Sequence, residues 1–238
     1  MSIHDYPVYL FLLAGMIFSV ISHKLTITAA ITGVVVGLLV YKGVGYTGLT
    51  MLVLFFISGS GATSWQLNKK QQLGIAEKNR GRRTAGQVLA NGGVAAILGG
   101  MAWRIPERAA MMQLMMTGSL AAATADTLSS ELGSLYGRMF YDIITFKKVQ
   151  RGPDGVVSLE GTLIGIAGAA LIAITYMVGF GFSYFGWMII VAGAIGNLFD
   201  SILGATLERR QLIGNNMVNF LNTCMGAAIC LLLQLFVN

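Results

Sequence analysis

Asp126, Glu131 and Asp200 are the residues of this chain whose type and setting could do chemistry. Asp200 closes an apolar run that starts near Trp187 and is followed by Ser-Ile-Leu-Gly-Ala-Thr-Leu. An ionised carboxylate at that depth costs about 2.5–3.5 kcal/mol on insertion scales, so an acid there is a functional candidate by default. Asp126 and Glu131 stand in Ala-Thr-Ala-Asp-Thr-Leu-Ser-Ser-Glu-Leu-Gly. Hard carboxylate oxygens suit Mg²⁺, which commonly bridges phosphates. Phosphoryl transfer in turn needs charge neutralisation and positioning more than a covalent nucleophile. The three acids are therefore candidate catalytic residues and Mg²⁺ ligands. One geometric condition applies: residues i and i+5 of a regular helix point about 140° apart. Asp126 and Glu131 can share an ion only if the helix breaks.

Candidate phosphate and nucleotide contacts surround these acids in the sequence. Arg82 and Arg83 can grip phosphate oxygens with paired donors. They lie about one turn before Gln87, which shares a helical stripe with Thr84 and Asn91. Further polar stripes hold Ser130 after Asp126, Ser201 after Asp200, and Asn219 between Asn215 and Asn222. Ser158 follows the turn Arg151–Gly155 and could form a phosphate-binding helix start. Lys69 and Lys70 read equally well as topology signals that attract anionic lipid. His4 and His23 read as interface residues, and Cys224 and Cys230 as small apolar ones. The chain contains no Walker A motif, dinucleotide fingerprint, zinc motif or nucleic-acid module.

The elements that must position these residues are membrane helices. The chain has 238 residues, 55% hydrophobic and 11% charged, with mean hydropathy +0.71. A soluble domain carries roughly 25% charged residues, so the solvent of this chain is largely lipid. The expected fold is all-α: a polytopic transmembrane helix bundle in a single domain, 1–238, of about seven to eight spans. Apolar runs cover 7–22, 26–41, 45–65, 85–103, 109–125, 158–180, 183–207 and 216–237. The first two are short for ~30 Å of hydrocarbon, as two tilted spans or as one helical hairpin. The N-terminus lacks a basic n-region and a cleavage site, so the first helix reads as retained. With the N-terminus outside, 13 of the 16 basic residues fall on the cytoplasmic side and only Lys42, Arg104 and Arg108 outside, as the positive-inside rule demands. Cytoplasmic loops then lie near 66–84, 126–157 and 208–215. The polar stripes of four helices reach the same membrane face.

Several ordered blocks from about Lys69 onward resemble a membrane family formerly catalogued as a domain of unknown function. That family includes the plant and cyanobacterial phytyl-phosphate kinases of vitamin E synthesis. The blocks are Gly-Arg-Arg-Thr-Ala-Gly-Gln-Val-Leu-Ala-Asn-Gly at 81–92, Ala-Thr-Ala-Asp-Thr at 123–127 and Ser-Glu-Leu-Gly at 130–133. Asp-Gly-Val-Val-Ser at 154–158, Asp-Ser-Ile-Leu-Gly-Ala-Thr at 200–206 and Asn216 to Phe220 complete the match. The resemblance implies a lipid kinase that converts a phytyl or geranylgeranyl-type monophosphate to its diphosphate with CTP and Mg²⁺. The expected location is a prokaryotic cell membrane, with the active site on the cytoplasmic side that the basic residues mark, and no nucleic-acid partner is expected. A membrane cytidylyltransferase making a CDP-lipid is the competing enzyme. A transporter is disfavoured, because transporter sites lie near the midplane between repeats and these acids lie toward one end.

Overall fold

The computed structural model describes residues 5–76 and 81–237; Lys78 and Arg80 of the basic loop lie outside them. Helices α1 (Tyr6–Ile21), α2 (Ile27–Ser64) and the short α3 (Leu67–Gln72) open the chain. They are followed by α4 (Ala85–Arg104), α5 (Ala109–Leu128) and the single turn α6 (Ser134–Tyr136). The last three are α7 (Leu159–Phe180), α8 (Phe185–Leu203) and α9 (Asn215–Val237). Strands β1 (Tyr141–Asp142) and β2 (Val156–Val157) pair antiparallel. The chain is thus an all-α bundle carrying one minimal sheet. Among the described residues, α2, α4, α7, α8 with its extension to Glu208, and α9 are long and apolar enough to cross a membrane.

Local signals start these helices where the sequence places them. Thr26 accepts from the Ala29 amide at 3.2 Å and caps α2. Thr84 and Gln87 form a capping box at the start of α4, which satisfies two orphan donors reciprocally. Ser158 accepts from the Gly161 amide at 3.1 Å and caps α7.

The second and third apolar runs are joined at Gly45, whose φ of 68° and ψ of −153° are not helical. This region of backbone space is essentially reserved for glycine. An unbroken helix of 38 residues would be about 57 Å long. Instead Lys24, before α2, donates from Nζ to Ser64 Oγ at its far end, 2.5 Å away. The two limbs, 27–44 and 46–64, therefore fold back on each other. Helix α1 packs against α2. At the hairpin tip Asp5 accepts from Lys42 Nζ at 2.6 Å and from Tyr41 Oη at 3.2 Å. The first two runs are thus an antiparallel helix pair, α1 the shorter of the two. With the α2 limbs counted separately, the described residues contain eight long helices.

Helix α5 is the axis of the bundle. It contacts α2, α4, α7, α8 and α9, and Met116–Asp126 are buried without interruption. Its small residues let neighbours approach closely, as in membrane helix pairs. A Cβ on Gly118 would meet Gly226 O of α9 at 2.5 Å, and one on Gly168 of α7 would meet Thr124 O at 3.2 Å. Apolar periodicity reads this helix as one span like the others. Its burial on all sides explains why it carries so many small and polar residues.

Candidate active site

Two of the three sequence-predicted acids meet. Asp126 near the end of α5 and Asp200 near the end of α8 lie within hydrogen-bonding reach of each other. Each is followed by a π-helical turn, Ser129–Gly133 and Gly204–Glu208 respectively. Such wide turns recur at functional sites. Here they let each helix continue past its acid, so Asp126 is helical and buried, at 7% exposure, and not the start of a loop. Ser130 Oγ donates to Asp126 Oδ1 at 3.3 Å. Asp200 Oδ1 is shut off from solvent and has no partner among the described residues. Two carboxylates this close repel unless positive charge lies between them. Glu208 and Asp154 add negative charge around Asp200, and Glu131 adds it around Asp126.

Glu131 does not join that pair. It lies in the π-helical turn, and its Oε2 accepts from Lys70 Nζ, which also donates to Ala62 O at 2.7 Å. Lys70 is 1% exposed. The helix irregularity that the i, i+5 spacing demands is therefore present, and in it Glu131 pairs with Lys70 of α3. No group of three or more His, Cys, Asp or Glu side chains suited to a metal ion occurs among the described residues. The pair Asp126 and Asp200 still fits Mg²⁺, because that ion is usually held by one or two carboxylates plus substrate phosphates and waters. The unpartnered Asp200 oxygen is the structural mark of that fit.

The basic side is built on an extended link. Arg83 N donates to Lys24 O at 2.9 Å, and Thr26 N to Arg83 O at 3.0 Å. Neighbouring side chains on extended backbone point to opposite faces, so Arg82 and Arg83 part. Arg82 Nε donates to Leu25 O at 3.2 Å. Arg83 is buried, its guanidinium 5.4 Å from the Phe55 ring centroid. A Cβ on Gly59 would meet Arg83 Nη2 at 2.6 Å and Thr127 Cγ2 at 3.2 Å. Arg83 thus approaches the residue after Asp126, while Arg82 faces away.

Other predicted contacts fall in distinct roles. Gln87 Oε1 accepts from the Thr84 amide at 2.8 Å. Asn91 Nδ2 donates to Gln87 O at 3.0 Å, leaving its buried Oδ1 without a partner among the described residues. Ser201 Oγ donates to Asn197 O at 3.2 Å, Ser158 is the buried cap of α7, and Asn219 is half-buried on α9. Two residues outside the predicted set stand out. Lys70, read from the sequence as a topology signal, is an inward ion-pair partner. Asn222, one turn deeper than Asn219, is fully buried with both amide atoms unpartnered among the described residues. A Cβ on Gly196 would meet Asn222 Oδ1 at 2.7 Å and Ala122 Cβ at 2.6 Å, one turn below both acids. Its place on a small-and-polar stripe of α9 was the available signal.

The polar end is covered by the segment between α6 and α7. Arg209 Nη1 donates to Asp142 Oδ2 at 2.7 Å, and its Nη2 to Asp154 O. Asp142 Oδ1 also accepts from the Thr145 and Ile144 amides at 2.9 and 3.1 Å. Arg209 first, then these amides, lower the Asp142 carboxyl from its ordinary 3.8 to about 2. The Arg151–Gly155 turn thus docks beside the π-helical turn of α8, where Gly155 sits against Ala205.

Comparison with known proteins gives this geometry a family. No solved structure matches the chain. It is 31% identical over 208 residues to Protein VTE6, chloroplastic, of Arabidopsis thaliana, covering 84% of this chain but only 62% of that protein. It is 33% identical to an uncharacterized membrane protein of Synechocystis sp., over 83% of this chain and 78% of the relative. An uncharacterized membrane protein of Methanocaldococcus jannaschii is 35% identical over 84% of this chain and 81% of its own length. The model described as integral membrane protein DUF92 matches residues 10–227, a stretch that contains both acids, the two arginines and every helix that positions them. The chain belongs to the DUF92 family of integral membrane proteins.

Proposed function

We propose that this protein is a lipid-phosphate kinase that transfers the terminal phosphoryl group of a nucleoside triphosphate, with CTP the first candidate, to a phytyl- or geranylgeranyl-type monophosphate. The observation that carries the reading is the contact between Asp126 and Asp200 at the polar end of the helix bundle, with an unpartnered carboxylate oxygen. Membership in the family of the Arabidopsis relative supports it.

The chemistry asks little of a nucleophile. An oxygen of the lipid phosphate attacks the terminal phosphorus of the nucleotide, and the bond from that phosphorus to the bridging oxygen breaks. A nucleoside diphosphate leaves, and the lipid becomes a diphosphate. The attacking oxygen is already anionic, which accounts for a site without a Ser/His or Cys/His pair. What is needed is alignment of two anions and neutralisation of their charge. Mg²⁺ held by Asp126 and Asp200 would supply charge neutralisation on the phosphates. Ser130 orients Asp126 through its hydrogen bond. Arg83 faces the lipid phosphate with a planar, permanently charged group suited to phosphate oxygens. Glu131 acts at one remove, through its charge beside Asp126 and its hold on Lys70. We place this end of the bundle in the cytoplasm, where the nucleotide is available.

The test is product analysis. Purified protein with Mg²⁺ is incubated with each of several nucleoside triphosphates and prenyl monophosphates, and products are identified by mass spectrometry. A prenyl diphosphate with a nucleoside diphosphate is expected. Pyrophosphate with a CDP-lipid would replace the kinase with a cytidylyltransferase. Failure across the whole matrix would end the enzymatic reading.

A further inference from the structure

A cavity of about 440 Å³ lies between α1, both limbs of α2 and the start of α4. Its walls are apolar, with Leu12, Met16, Val36, Leu52 and Phe56 among them. Its lining also includes Phe18 of α1 and Ile57 of α2, which are 69% and 60% exposed. Arg83, Gln87 and Asn91 line it at the start of α4. Asn91 is 6% exposed, and its Oδ1 lacks a partner among the described residues. Arg83 stands at the junction, because its guanidinium and Thr127, next to Asp126, both reach Gly59. The cavity thus combines apolar walls with a cation that also approaches the acid pair's helix.

We infer that this cavity holds the hydrocarbon tail of a single-chain isoprenoid monophosphate, with its phosphate against Arg83 and the buried Asn91 amide. A hydrocarbon alone leaves the buried Asn91 Oδ1 without a partner, and a buried unpaired amide oxygen is costly. A free nucleotide leaves the apolar walls unused. A lipid monophosphate satisfies both. Its headgroup is small and anionic, matching Arg83, and one P–OH of its monoanion can donate to Asn91 Oδ1. The volume falls near the low end of ligand pockets, roughly 300–1,000 Å³, which suits one branched chain and not the two chains of a phospholipid. Two glycines keep the space open. Gly15 and Gly33 both line it, and a Cβ on either meets nothing within 4 Å. The inference takes its substrate class from the kinase reading, but its test requires no turnover.

Photo-cross-linking with diazirine-tagged geranylgeranyl phosphate, without nucleotide, tests it. Label is expected on peptides of α1 and the α2 limbs. Gly15→Phe and Gly33→Phe fill open space without displacing backbone, and each should lower labelling about tenfold, or roughly 1.4 kcal/mol. The loss should be greater for geranylgeranyl than for geranyl phosphate. Gly61→Phe, on α2 like Gly33, also in open space and outside the cavity, should label like wild type. Thermal unfolding of each variant confirms that it folds. Label confined to α5, α7, α8 or α9, full labelling of both filled variants, or equal labelling by a phosphatidic acid probe would overturn the assignment. Normal labelling with no diphosphate in the product assay would instead count against the kinase chemistry and leave the lipid site standing.

Discussion

Replacing Asp126 or Asp200 with Asn keeps the size of the side chain and removes its charge, so the pair loses its affinity for a divalent cation. Each change should lower turnover by about tenfold or more, equivalent to at least about 1.4 kcal/mol of transition-state stabilisation. The measurement is kcat of purified protein, alongside membrane fractionation showing normal insertion; normal activity in either variant would remove that residue from the site. Asn222 gives a second, opposite signature. A buried amide without partners costs about 1–3 kcal/mol, and leucine has nearly the same shape. Asn222→Leu should therefore raise Tm by about 2–4 °C for each kcal/mol recovered while turnover falls. A variant both stabilised and fully active would show that the amide serves packing alone. Of these residues the acids were legible in the sequence, because an acid in an apolar run is conspicuous by its local cost. Asn222 was visible only as one amide in a stripe, because its burial depends on how α5, α8 and α9 rotate against one another.

The segment over the polar end behaves as one element, with Asp142 as its pin. Ion pairing and hydrogen bonding outweigh burial here: Arg209 and two amides stabilise the charged carboxylate, so its folded value lies near 2, below the ordinary 3.8. The sign follows directly. The pin contributes in full above the ordinary aspartate value and is lost as pH falls from there toward about 2. Peptic digestion in detergent reads this out, since pepsin is active throughout that window. The loop between Gly137 and Ser158 should resist cleavage at the upper end and become cut as pH falls. Asp142→Asn should be cut throughout, and a wild type equally cut at every pH would dismiss the pin. Turn residues mark this loop in the sequence, but its docking on Arg209 joins positions 67 residues apart. The two π-helical turns escape pattern reading for a related reason. A helix widens where its neighbours demand it, here beside Gly161 and beside the Asp154–Gly155 turn.

For the whole molecule, the folded-back α2 places Lys24 and Ser64 at one end and Asp5 and Lys42 at the other. Single cysteines in a background with Cys224 and Cys230 replaced should report the orientation. At Gly74 and Gln211 they should react with an impermeant maleimide only after cells are opened. At Arg108 and Ser183 they should react in intact cells. The reverse pattern would invert the bundle and put the acid pair outside. Composition and hydropathy are one-dimensional properties that every residue carries with it. They were therefore enough to determine a lipid solvent, a helical class, the apolar runs, the basic end and the candidacy of Asp126 and Asp200. The tertiary structure alone decided that those two acids touch, that Glu131 turns to Lys70, that Arg82 and Arg83 part, and that Arg83 lines an apolar cavity. Each of these depends on which face a helix shows its neighbour, and hence on the break at Gly45 and the close packing around α5, neither of which periodicity along a chain encodes.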